Sequence, residues 1–121
     1  VLLAHAGEAA LDELADALIR SGRRSGRGVK QIESARRTPV KLPWIAHRAL
    51  ARRSPPAEIS DEAESQFSGL RTLIRLVRSD RGEPRLPAID RDQALAQFLL
   101  FPDRCQFLYH VIRWLGEEAG T

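Results

Sequence analysis

At 121 residues the chain has the size of one domain, able to bury roughly two-thirds of its unfolded surface, and a single cysteine, Cys105, excludes an internal disulfide framework and a multi-cysteine zinc site. The net charge of +3 conceals segregation: residues 1–20 and 54–121 each sum to −3, whereas residues 21–53 hold ten Lys/Arg against Glu33 and reach +9. Apolar runs stop at four residues, far short of the roughly twenty that a membrane-spanning helix needs.

Residues 8–20, EAALDELADALIR, set Leu11, Leu14, Ala15 and Leu18 at the spacing of one helical face and give the other to Glu8, Asp12, Glu13 and Asp16. Acids early and Arg20 late suit the helix dipole, and Gly22 is a natural stop. The VLLAHAGEAAL start lacks the basic opening and long apolar core of a secretory signal, and the lone cysteine favours a reducing compartment, so a cytoplasmic location is the expectation. SGRRSGRG then breaks all periodicity, which predicts a flexible Arg/Gly-rich loop near residues 21–28. VKQIESARR can form a short helix that stops before Pro39.

Pro43 opens the next predicted helix, with Ile45, Ala46, Ala49 and Leu50 on one arc and Trp44, His47, Arg48 and Arg52 on the other. An aromatic among cations has two uses. Trp44 stacks on Arg48 within the chain, or it stacks a base while the arginines hold phosphates. After Ser54-Pro55-Pro56, Ser60 is the expected cap of a helix whose first turn carries Asp61, Glu62 and Glu64. Ala63, Phe67, Leu70, Ile74 and Val77 form its core face, the expected centre of the core. Arg71, Arg75 and Arg78 run beside that face, and Leu73 and Leu76 lie on yet another side, which predicts burial on two sides.

DRGEPRLPAI is a turn-rich connector, and Asp90 with Gln93 stands at capping-box spacing before Ala94, Leu95, Phe98 and Leu99. Pro102 is expected to kink or restart the helix, and Gly116 to stand near its end. Phe107, Leu108, Val111, Ile112, Trp114 and Leu115 cover an arc too wide for one neighbour. That predicts either the central helix of the bundle or an assembly surface. The fold class that emerges is all-α, a single small bundle of four to five short helices.

Catalytic and ligand chemistry finds little support. His5, His47 and His110 sit on three segments without partners at metal-ligand spacing. Cys105 and His110, five apart on one helix, point roughly 140° from each other. No phosphate loop or GxSxG elbow is present. The expectation is therefore a protein that is not an enzyme, with no cofactor, no metal and no membrane contact.

The reading that remains is a non-catalytic basic subunit lying along a nucleic-acid backbone, RNA or DNA, with weak sequence preference, inside a larger complex with other subunits. Its candidate contacts are Arg23, Arg24, Arg27, Lys30, Arg36, Arg37, Trp44, Arg48, Arg52, Arg71, Arg75 and Arg78, and its candidate protein-interface anchors are Leu73, Leu76, Phe107 and Trp114. In size and basic helical character the chain resembles the small helical subunits of CRISPR effector complexes, a likeness of architecture that implies a bundle lining guide and target strands. The alternative is a structural adaptor whose basic segment docks an acidic protein surface.

Overall fold

The computed structural model describes residues 2–21, 26–76, 78 and 91–119. Five helices appear in chain order: α1 (Leu2–Ser21), α2 (Gly26–Ala35), α3 (Leu42–Ala51), α4 (Ala57–Arg75) and α5 (Arg91–Ala119). No strand occurs among the described residues, so the expected all-α bundle is the fold.

The centre of the bundle is α1, the one helix that touches all four others. Leu11, Leu14, Ala15 and Leu18 are fully buried, and Ala4 and Gly7 extend the same face toward the N-terminus at spacings of three and four. Its close approach to α4 and α5 depends on Gly7, where an added Cβ would stand 3.2 Å from Leu73 and 3.8 Å from Phe101. Sequence periodicity favoured the α4 face as core centre and α5 as a central helix. Both helices pack on α1 and on each other, and their buried faces share one core with that of α1.

On α4, Ala63, Phe67, Leu70 and Ile74 are buried as their spacing predicts, and Leu73 is buried too, against Ala4, Leu3 and Phe101. The helix starts at Ala57 rather than at the expected Ser60 cap. Pro56, with φ −63° and ψ 160°, holds the cap position, and its carbonyl accepts from the amides of Ile59 and Ser60. A proline just before the first turn needs no side-chain oxygen to begin a helix there.

Two further expectations change. Residues 26–28, placed in the flexible loop by their glycines, open α2, while residues 22–25 lie outside the described residues, as do Val77 and Asp90. Pro102 does not restart its helix: α5 runs unbroken for 29 residues with the proline inside it. Pro102 is exposed, so the Phe98 carbonyl that loses its amide partner lies on the side open to water. The helix also continues past Gly116 to Ala119.

The C-terminal half of α5 packs well. Phe107, Leu108, Val111 and Leu115 are buried, and Phe107 meets Phe67 edge-on at 5.6 Å between ring centres. Beside them, Gln66 of α4 is buried and satisfied at both ends. Its amide nitrogen donates to Asp103 (3.0 Å) and its oxygen accepts from Arg104 (2.8 Å), whose guanidinium lies over Gly69.

Candidate nucleic-acid interface

The cations gathered by the sequence divide into two groups. Arg36, at the end of α2, faces the acidic side of α1: its Nε and Nη2 donate to the two carboxylate oxygens of Asp12 at 2.7 and 2.9 Å, and its Nη1 lies 2.8 Å from Asp16. That forked geometry is the strong arrangement for an arginine and a carboxylate. The hydrogen bonding holds the Asp12 carboxyl below its usual range, against a smaller opposing effect of burial, and drives the Arg36 guanidinium above its own. Arg78 is likewise paired with Glu8 of α1, which raises its pKa. Arg53 donates to the Ser21 hydroxyl (2.8 Å) and to the Leu18 carbonyl (3.1 Å), so it caps the C-terminal end of α1. These three hold the bundle together.

The second group faces outward around Trp44. Trp44 is half exposed, with 51 % of its surface open, and three grooves meet at its indole. One, of about 480 Å³, runs between α2 and α3 past Lys30, Gln31, Ser34, Thr38, Lys41 and Arg48. A second, of about 300 Å³, is lined by Val40, Lys41, Arg71 and Arg75. The third passes His47, Glu64, Phe67, Ser68 and Arg71. Among the described residues no carboxylate lines the first two, while Glu64 lines the third. Among the described residues, Lys30, Arg37, Lys41, Arg48, Arg52 and Arg71 have no carboxylate partner.

Local structure explains the cluster. Lys41, Trp44 and Arg48 fall on one side of α3 at spacings of three and four, and the Arg48 guanidinium lies 4.7 Å from the Trp44 ring centre. His47, next on that helix, stacks on Phe67 of α4 at 5.3 Å with the rings 15° apart, which brings the α4 cation Arg71 alongside the α3 face. A planar aromatic with Lys30, Lys41, Arg48 and Arg71 around it is chemically suited to a stacked ring flanked by phosphates.

The sequence candidates thus separate. Lys30, Trp44, Arg48, Arg71 and Arg75 are brought to one surface; Arg37 and Arg52 are exposed beyond the grooves; Arg36 and Arg78 face the acids of α1. Arg23 and Arg24, and the side chain of Arg27, lie outside the described residues. Lys41 lines two of the grooves and was missed; its signal was available as the cation three residues before Trp44.

Of the interface candidates, Leu73 and Phe107 are buried in the bundle, Trp114 packs on the core, and Leu76 packs on the small cluster with Ala4 and Leu73. Cys105 and His110 stay on one continuous helix, and burial pushes the Cys105 thiol up. No group of three or more metal-capable side chains occurs among the described residues, and none of the described helices is long and apolar enough to cross a membrane. No family model matches the chain, and neither a curated protein nor a solved structure matches it.

Proposed function

We propose that the chain is a non-catalytic helical subunit that holds a nucleic-acid backbone across α2, α3 and α4 within a larger complex. One observation carries the reading: a half-exposed Trp44 at the junction of grooves whose cations Lys30, Lys41, Arg48 and Arg71 have no carboxylate partner among the described residues. A base stacks on the open part of the indole, and the phosphates on either side of it lie against the lysines and arginines. Phosphate contacts carry no sequence information, so binding is indifferent to sequence.

Docking of an acidic protein surface would use the same cations with Trp44 as an anchor, and a stacked base uses them with the indole as its platform. Binding of a fluorescent single-stranded oligonucleotide by the full chain tests the nucleic-acid reading. Four phosphate contacts give a slope of about −3 in log affinity against log salt. Arg48→Glu with Arg71→Glu removes binding while far-ultraviolet circular dichroism is unchanged, and Trp44→Ala weakens it by about 1–3 kcal/mol. Affinity that stays flat between roughly 50 and 300 mM salt rejects the reading. A charge-reversed chain that loses its helicity shows instead that these arginines are structural.

A further inference from the structure

The two grooves that share Trp44 and Lys41 differ in what else lines them. The one between α3 and α4 adds Val40, Arg71 and Arg75, and so presents mainly cations. The one between α2 and α3 adds Gln31, Ser34 and Thr38, three uncharged side chains that each carry a hydrogen-bonding group. Gln31 and Ser34 stand one turn apart on α2, and Thr38 follows just beyond its end. Among the described residues none of these three side chains makes a hydrogen bond, so the wall they form is available to a ligand. Ala35 and Ile45, the apolar members of the same lining, belong to or pack on the core. At about 480 Å³ the groove falls within the roughly 300–1,000 Å³ of clefts that take small ligands.

We propose, as a step that rests on the nucleic-acid reading above, that this surface takes an unpaired strand rather than a duplex. One base enters the α2–α3 groove, its face on the Trp44 indole and its edge on Gln31, Ser34 and Thr38. An adjoining phosphate lies in the α3–α4 groove against Lys41 and Arg71. The Arg48 guanidinium already lies over one face of the indole, 4.7 Å from the ring centre. The base therefore takes the other face, and the indole is held between a cation and a base.

Amide and hydroxyl groups both donate and accept, so the three uncharged side chains satisfy the edge of any base and impose little sequence preference. In a duplex that edge is already paired, and both faces of the base are stacked. Extruding the base costs as much as one stacking contact returns, or more. A duplex therefore meets only the cations, while an unpaired strand meets the cations, the indole and the α2 wall together.

Competition for a fluorescent single strand bound to the full chain, at one salt concentration and equal phosphate, tests the proposal. The unlabelled strand is expected to compete about 5- to 150-fold better than the blunt duplex of the same sequence, the worth of one stacked base. Trp44→Phe keeps most of that preference and Trp44→Ala removes it, leaving the weaker binding common to both competitors. Gln31→Ala with Ser34→Ala weakens the strand and leaves the duplex where it was. A second readout needs no variant. Trp44 is the exposed one of the two tryptophans, and a stacked base quenches its emission whereas a duplex lying on the cations does not. Equal competition by strand and duplex with the salt dependence intact, or equal quenching by both, overturns the unpaired strand and leaves the phosphate contacts standing. Competition by neither, or by poly-glutamate as well as by the strand, overturns both.

Discussion

Arg36 and Arg48 stand twelve residues apart in the same cationic stretch and have opposite fates. Arg36 meets α1, whose Asp12 and Asp16 face it across the helix packing, and its charge is neutralised within the chain. Arg48 projects from α3 on the side away from the core, beside Trp44 and Lys41, with no carboxylate lining its groove among the described residues. The difference lies in topology rather than composition. A cation counts toward an external field only if the fold turns it away from the acids that the same sequence carries elsewhere. The net +9 of residues 21–53 thus overstates what a ligand would meet, and the smaller group around Trp44 is the relevant charge.

The sharpest way to break this distinction is at Leu70 and Arg71, neighbours about 100° apart around α4, the first buried and the second exposed. Leu70 is fully buried, and Leu70→Ala costs about 2–5 kcal/mol of unfolding free energy through lost transfer and a residual cavity. Chemical denaturation reads that cost directly. A charge reversal at Arg71, on the exposed side of α4, leaves the midpoint of the same denaturation curve nearly in place. Equal losses at the two positions would mean that Arg71 belongs to the packing and that the outward group is smaller than it looks.

Arg36→Ala probes the inward group, with a smaller effect. Its guanidinium keeps 29 % of its surface exposed and its two acids about half of theirs, so solvent screening limits the whole network to about 1 kcal/mol. Thermal unfolding registers that loss, while oligonucleotide affinity is unchanged. A variant that keeps its stability and loses affinity would move Arg36 to the outward group and remove the distinction.

The sequence made the core legible because burial leaves a periodic trace. The α1 and α4 faces at spacings of three and four were buried as predicted, and Leu73 confirmed that α4 is covered on a second side. The functional surface was less legible. Which arginines meet acids depends on how α2 and α3 lie against α1, a contact between residues 24 positions apart for Arg36 and Asp12, and no local pattern encodes that. Lys41 escaped notice because it lies outside the helical stretch that organised the reading, at the cap of α3. Phe98 and Leu99 were read simply as apolar positions of a helix. Periodicity identifies an apolar face without saying whether the same chain covers it.

Acidification separates the two groups by the smallest effect. The Asp12 carboxyl is held below its usual range chiefly by hydrogen bonding to Arg36. A carboxylate with a depressed folded-state pKa contributes stability that is complete above its unfolded value and is lost as pH falls through the folded one. The unfolded value of an aspartate is about 4, so the contribution is present at neutral pH and disappears progressively below about pH 4. With both partners partly exposed it amounts to a few tenths of a kcal/mol. Unfolding curves of the parent chain and of Arg36→Ala, measured in steps from pH 7 downward, therefore converge at the acid end. A gap that stays constant would mean that Arg36 stabilises the bundle through its aliphatic stem, and that the carboxylates of α1 do not neutralise it.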